Sequence, residues 1–245
     1  MTVEELIEKS LIETAKLVLN GESNFKIITP FYRAKEDDEF TIRYSEQELK
    51  QVFLTCIEKF DLPYYYSVET PSEYVYSISN SKTPEIKQLK EKDDHYESAR
   101  IDVTLYKENN PKKFSSHIEF KHGNPDVKDI SKDFLRLTHE IGEYKNFFVQ
   151  YIVRESNMWM TKTFPSIMEK FCESLSISGI NETNFNNVEV FLMFVIRKDN
   201  SSVIKLLKFS LQSLYENKNL FVQKHAFDEK ELTWMEIKTI GESSL

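Results

Sequence analysis

The sequence predicts an α/β protein with a mixed central sheet flanked by helices, an N-terminal helix and a C-terminal extension. Residues 100–106 and 117–121 alternate apolar with polar or charged side chains, which is the two-residue period of a strand. The asparagines, proline and charges of residues 107–113 are typical of a hairpin connection. Apolar residues at helical spacing follow over residues 126–142, and residues 146–153 are nearly all apolar, as in a strand covered on both faces. A strand, a helix and a buried strand in this order predict a crossover unit with parallel strands.

Helical spacing of apolar residues predicts three further helices. The first covers residues 3–19. The second begins at Ser45, because Ser45 and Glu48 have the spacing of a capping box, and it runs to about Phe60. The third covers residues 165–175. Together with the crossover helix, these segments supply the layers that would flank the sheet.

The other segments are assigned from composition and turn residues. Strands are predicted at residues 25–29, 40–43 and 188–196, and one or two in the tyrosine-rich segment 62–79. The less regular segments are predicted as a loop at 81–98 with a short helix at 84–92, a helix at 203–215 with a strand as the alternative, and an edge strand or hairpin at 220–240. The predicted organisation is an N-terminal extension over 1–44, an α/β core over 45–197 and a C-terminal extension over 198–245.

Composition excludes several classes of protein. The chain has 245 residues and a net charge of −8, with apolar and charged fractions that are ordinary for a globular protein. No apolar run reaches the length of a membrane span, and the first residues lack the features of a signal peptide, so a cytoplasmic protein is expected. Cys56 and Cys172 fall in helical apolar patterns, which predicts reduced thiols rather than a disulfide or a zinc site. There is no glycine-rich phosphate loop in the sequence.

Acidic and basic side chains occupy the polar face of the predicted hairpin. Strand alternation places Asp102 on one strand, and Glu119 with Lys121 on the next, on the face opposite the apolar residues. Two carboxylates side by side raise one another's pKa unless a cation lies between them. Mg²⁺ suits such oxygen ligands, and an adjacent ammonium can orient a water molecule or stabilise charge on a phosphate. The pattern therefore predicts phosphodiester hydrolysis.

An Asp on one strand, a hairpin and Glu-x-Lys on the next strand resemble the PD-(D/E)xK nuclease superfamily, which includes restriction endonucleases and many phage-defence and repair nucleases. The resemblance covers residues 45–153 and implies a restriction-endonuclease-like core. It implies that Asp102 and Glu119 are ligands of Mg²⁺ or Mn²⁺, that Phe120 offers its backbone carbonyl, and that Lys121 is the catalytic lysine. The family's proline before the first acid is Ile101 in this chain.

The first helix of that family's core contributes a further metal-site glutamate in many members. Glu46 is the better candidate here, because Glu48 is occupied in the capping box. Compensation of the helix dipole is an alternative role for both acids. Asp93 and Asp94 are the alternative source of the first acidic ligand.

Basic residues on the crossover helix are the candidates for contact with nucleic acid, which is expected to be DNA. Lys128, Lys132 and Arg136 are spaced four residues apart and form one stripe, with His122 just before the helix. The stripe is equally compatible with a plain solvated face. The net charge of −8 argues against non-specific DNA binding, so a partner subunit or a homodimer could supply binding surface.

The resemblance implies a nuclease, with restriction, anti-phage defence or nucleic-acid processing as its expected setting. Two alternatives stay open. The same fold can serve as a non-catalytic interaction subunit, which the acidic composition would suit. The scaffold can also serve an enzyme of another kind, since fold does not fix function.

Overall fold

A computed structural model gives the fold. The described residues are 1–20, 27, 31–33, 40–42, 45–78, 84–88, 99–154, 157–177, 180–198, 201–222 and 234–240. The predicted strand at 25–29, apart from residue 27, and the alternative ligands Asp93 and Asp94 lie outside these residues.

The chain forms helices and strands in the following order. The helices are α1 (Val3–Asn20), α2 (Glu46–Lys59), α3 (Val127–His139), α4 (Asn157–Leu175), α5 (Leu211–Glu216) and α6 (Lys218–Val222), with a 3-10 turn at Glu182–Asn187. The strands are β1 (Phe31–Arg33), β2 (Phe40–Ile42), β3 (Tyr65–Pro71), β4 (Tyr74–Ile78), β5 (Pro84–Gln88), β6 (Arg100–Tyr106), β7 (Ser116–His122), β8 (Asn146–Arg154), β9 (Val188–Lys198), β10 (Ser201–Ser210) and β11 (Trp234–Ile240).

The central sheet is mixed, as the sequence predicts. Its strand order is β11-β10-β9-β8-β7-β6-β3, so six strands from β10 to β3 form the body and β11 pairs along the outer edge of β10. β7, β8 and β9 are parallel to one another, and all other neighbours are antiparallel. The crossover prediction is confirmed, because α3 joins the parallel neighbours β7 and β8. Two small two-stranded sheets, β1 with β2 and β4 with β5, complete the described strands.

Each face of the sheet is covered by helices. On one face, Val103, Ile118 and Phe120 pack in a core with the apolar sides of α1 and α2. On the other face, α3 and α4 enclose a second core around Phe148 and Phe171. Strand alternation therefore directs the polar side chains of β6 and β7 away from the α1 and α2 core. This alternation positions the candidate site.

Most predicted helices are confirmed, with shifts at their ends. The capping box at the start of α2 is present, and the Ser45 amide donates to Glu48 Oε2 over 2.9 Å. α4 begins at Asn157, eight residues before the predicted start, so Pro165 lies within it. Both cysteines are free, and Cys56 is buried.

One predicted helix is wrong, and another is wrong in part, because only residues 211–215 of the helix predicted at 203–215 are helical, in α5. Residues 203–210 form most of β10, where Val203 and Leu207 enter one core and Ile204 and Leu206 the other. A strand buried on both faces carries apolar doublets that imitate a helical pattern, so the strand alternative was the correct one. The predicted short helix at 84–92 is also wrong, because Pro84–Gln88 is a strand paired with β4. β10 and β11 also place much of the predicted C-terminal extension in the central sheet.

Candidate active site

The candidate site lies where β6 and β7 separate. Their pairing runs from Leu105 opposite Ser116 to Val103 opposite Ile118 and ends before Asp102 and Glu119. Asp102 bridges the gap, because its Oδ2 accepts a hydrogen bond from the Phe120 amide over 2.8 Å. Asp102 and Glu119 thus lie at adjacent positions on neighbouring strands, as the hairpin prediction required.

Lys50 of α2 neutralises Asp102. Its ammonium nitrogen Nζ lies 2.7 Å from Asp102 Oδ1 and 3.0 Å from Glu69 Oε1. Only 7% of the Lys50 side chain is exposed. Burial alone would lower the pKa of Lys50, but the Asp102 and Glu69 carboxylates outweigh it, and the pKa is raised. Lys50 therefore stays protonated beside Asp102.

Glu69 reaches Lys50 from a strained position on β3. Val68 pairs with Val103 and Thr70 with Ile101, so Glu69 lies in register with Asp102. Its φ of 50° is in the left-handed region, which is costly for a residue other than glycine. Such strain persists only where surrounding contacts hold it, and it is frequent at functional sites.

Helix α3 supplies the charges that face Glu119 and Lys121. Lys121 Nζ lies 2.9 Å from Asp133 Oδ2, and Arg136 Nε lies 3.3 Å from Glu119 Oε1. Asp133 and Arg136, one turn apart, also form an ion pair with each other. The strand and the helix are therefore joined by a chain of alternating charges from Glu119 through Arg136 and Asp133 to Lys121.

The buried charges shift one another's pKa. Burial, and then the negative charge of Asp133, raise the pKa of Glu119 well above its usual value. For Lys121, burial acts to lower the pKa, but Asp133 and Glu119 outweigh it and the pKa is raised. Lys121 is consequently a permanent cation in this setting and not a group that accepts a proton near neutral pH.

A polar cavity of about 610 Å³ opens above this cluster. It is lined by Glu46, Ala99, Lys121, His122, Pro125, Asp129, Lys132, Asp133 and Arg136. Burial raises the pKa of Glu46, and the charge of Lys121 opposes that rise. The cavity thus has the size of a ligand site and exposes Lys121 to it, with 17% of the lysine side chain accessible.

The predicted nucleic-acid residues fall in different settings. Lys132 and His122 line the cavity, and the His122 ring packs at 4.7 Å from that of Tyr151. Lys128 is exposed in the first turn of α3. Arg136 points inward to Glu119 and Asp133, so the stripe read from the sequence does not present three similar side chains. Their contacts with nucleic acid stay predictions.

Sequence reasoning missed Lys50 and Asp133. Asp133 is three residues after Ile130 and four before Leu137, which places a carboxylate on the core-facing side of the helix. Lys50 is likewise three residues before Phe53 on the buried side of α2. A charge at a core position is the signal that could have identified both, because buried charges need partners.

The point where β6 and β7 separate, at Asp102 and Glu119, is called the fork below. The donor set at the fork fits a hard divalent cation. Asp102 and Glu119 offer carboxylate oxygens, and Glu119 Oε1 is ion-paired with Arg136 Nε at 3.3 Å without forming a hydrogen bond. Within the described part of the chain, no three His, Cys, Asp or Glu side chains converge as a ready metal cluster. An ion here would therefore have two protein carboxylates, with the Phe120 carbonyl, water and substrate oxygens as further ligands, and Glu46 nearby across the cavity.

His117 is a further buried ionisable group on β7. Its Nδ1 lies 2.9 Å from Thr104 Oγ1, and its ring stacks at 3.9 Å on Phe114. Glu140 Oε2, 3.9 Å from Nε2, is too distant for a hydrogen bond. Burial lowers the pKa of His117 to about 3, so the ring is neutral at physiological pH.

The free energy of unfolding is therefore expected to fall as the pH decreases below about 6.5. The reason is that His117 binds a proton in the unfolded chain but stays neutral in the folded protein. The loss approaches about 1.4 kcal/mol per pH unit and continues toward pH 3, below which both states are protonated. Urea unfolding of wild type and His117→Gln at several pH values between 7 and 4 tests this. The wild type should lose more stability than the variant, and parallel pH profiles would contradict the assignment.

No helix among the described residues combines the length and apolarity needed to cross a membrane. Comparison with known proteins finds no matching family model, curated sequence or solved structure.

Proposed function

We propose that the protein is a divalent-metal-dependent nuclease that hydrolyses phosphodiester bonds, with DNA as the expected substrate. The observation that carries the proposal is the fork itself, where Asp102 and Glu119 lie at adjacent positions of neighbouring strands and Lys121, two residues further along β7, lines an open polar cavity. Buried charges are costly to stability, and stability alone does not explain so many in one place. Strongly shifted pKa values beside a cavity are typical of catalytic sites.

Asp102 and Glu119 would hold the Mg²⁺ or Mn²⁺ ion of the proposed enzyme. The ion would supply a water of lowered pKa and neutralise charge on the scissile phosphate. Asp133 holds Lys121 in its charged form at the cavity wall. Lys121 would thus stabilise negative charge on the phosphate or orient the attacking water, and it would not act as the general base.

Lys132 and His122 line the cavity together with Lys121, and the lining also includes the acids Glu46 and Asp129. Lys128 is exposed in the first turn of α3. These basic groups would contact the substrate backbone near the cleaved bond. Because the chain has a net charge of −8, binding would depend on this local surface or on a partner subunit or second copy. A role in restriction or anti-phage defence, in the cytoplasm, is part of the same proposal.

The test is cleavage of plasmid, linear DNA, single-stranded DNA and RNA by purified protein with Mg²⁺, Mn²⁺ or EDTA. Wild-type protein should cleave at least one substrate with metal and none with EDTA. Asp102→Asn, which keeps the shape of the side chain and removes its charge, should reduce cleavage by about 10²-fold or more. Metal-dependent cleavage that survives this substitution would contradict the site assignment.

A second candidate function is a nuclease-like interaction subunit without activity. The ion pairs favour it, because Lys50 and Arg136 already neutralise the two acids that would hold the metal. This alternative expects no cleavage of any substrate and no binding of Mn²⁺ at the fork. The two functions are therefore separated by the same set of reactions together with a metal titration.

A further inference from the structure

The ammonium of Lys50 lies between the carboxylates of Asp102 and Glu69, a position that favours a cation. Its nitrogen contacts Asp102 Oδ1 at 2.7 Å and Glu69 Oε1 at 3.0 Å, and the side chain is almost entirely buried. We propose that Lys50 is a resident counter-ion that competes with the divalent metal for Asp102. This inference rests on the proposed function, because it takes Asp102 to be a metal ligand.

The hydrogen bonds of Asp102 identify the oxygen for which the two cations compete. Oδ2 is fixed by the Phe120 amide at 2.8 Å, a backbone contact that does not depend on Lys50. Oδ1 contacts Lys50. Departure of the ammonium therefore frees one carboxylate oxygen and leaves the carboxylate oriented by the other.

Glu69 would remain an ion-pair partner of Lys50 after Lys50 leaves Asp102. The Glu69 side chain is 49% exposed, whereas that of Asp102 is 12% exposed. Lys50 can thus move toward solvent while it keeps one carboxylate, and its charge is never left unpaired in the interior. The left-handed backbone at Glu69 places this acid in register with Asp102, within reach of Lys50.

Arg136 differs from Lys50 in this respect. It pairs with Glu119 and Asp133 and also donates to the Arg100 carbonyl. Its departure would break contacts with two acids and a backbone oxygen. We therefore assign the competition to Lys50 and a fixed structural role to Arg136.

Removal of the Lys50 charge is expected to tighten metal binding. A metal ion at Asp102 would no longer displace or repel an ammonium, and it would neutralise a carboxylate that the substitution leaves unpaired. Calorimetric titration with MnCl₂ should show about tenfold or greater tightening in Lys50→Met, the scale of a close charge pair. The melting temperature of this variant should also rise more on addition of Mn²⁺ than that of wild type.

Two further proteins make the titration specific. Lys59→Met removes an exposed lysine from the same helix and should bind Mn²⁺ as wild type does. Lys50→Met combined with Asp102→Asn should lose the gain, because the contested oxygen no longer carries charge. If circular dichroism shows that Lys50→Met is unfolded without metal, Lys50→Gln is titrated under the same criterion. Unchanged or weaker Mn²⁺ affinity in a folded Lys50 variant would overturn the inference.

Cleavage measured on the same samples separates this inference from the proposed function. Tighter Mn²⁺ binding in Lys50→Met with no cleavage by any protein would support the competition and contradict the nuclease. Cleavage by wild type with unchanged Mn²⁺ affinity in Lys50→Met would leave the nuclease standing and reject the competition.

Discussion

Lys121→Met is expected to lower the rate of nucleic-acid cleavage by about 10²–10³-fold, the usual cost of removing one charged group that stabilises the transition state. The substitution removes the ammonium at the cavity wall but retains most of the apolar stem. Asp133 keeps its ion pair with Arg136, so the helix stays charge-compensated and the fold should be retained. The rate is measured under single-turnover conditions with saturating Mn²⁺, so that binding of metal does not limit it.

Lys113→Met is the matched control, because Lys113 is exposed in the loop between β6 and β7. It should cleave at the wild-type rate. If Lys121→Met also cleaves at that rate while remaining metal-dependent, Lys121 does not stabilise the reacting phosphate. The pH profile adds a second readout, because a lysine with a raised pKa should introduce no break in the rate between pH 6 and 9.

Arg136→Leu is expected to lower the free energy of unfolding by about 3 kcal/mol, at the lower end for removal of one partner from a buried ion pair. The substitution removes the cation that pairs with buried Glu119. Asp133 loses the same cation but keeps its ion pair with Lys121. Glu119 can moderate the cost by taking a proton, because burial already raises its pKa. Urea unfolding at pH 7 measures the change.

Glu119→Gln in the Arg136→Leu background is the matched control. The double variant should recover part of the lost stability, because it no longer contains the unpaired carboxylate. The coupling of the pair is the difference between the double variant's change in the free energy of unfolding and the sum of the two single-variant changes. An Arg136→Leu protein within about 0.5 kcal/mol of wild type would show that the cluster does not depend on this ion pair.

The placement of Asp102 beside Glu119 could be predicted from the sequence because it depends on local rules. Alternation fixes the face of each side chain, and a short polar connection makes the two strands neighbours. The crossover from β7 through α3 to β8 follows from the same order of elements. These relations require no knowledge of distant parts of the chain.

The ion pairs could not be predicted in the same way, because they join elements far apart in sequence. Lys50 reaches Asp102 only after α2 packs on the sheet, and Arg136 reaches Glu119 only after α3 crosses it. The helical stripe assigned Arg136 to the surface, but a long side chain at the edge of a helix turns inward when buried acids lie within reach. β10 was misassigned because its apolar doublets are buried on both faces of the sheet.

The charge balance at the fork explains why both proposed functions have structural support. Three acids, Asp102, Glu119 and Asp133, each face a cation of the chain itself. In an active enzyme this arrangement would hold the acids in place until metal and substrate enter. In an inactive subunit the same ion pairs would persist, because no metal ion would enter the fork. The difference is whether a divalent ion enters the fork, which can be measured directly.

The most direct measurement is an anomalous difference map from a crystal of the wild-type protein soaked in Mn²⁺. The account predicts a peak within coordination distance of the Asp102 and Glu119 carboxylates, about 2.0–2.2 Å from their oxygens. Lys50 should then contact Glu69 and no longer Asp102. A fork that holds no peak and keeps both ion pairs in saturating Mn²⁺ would contradict the account.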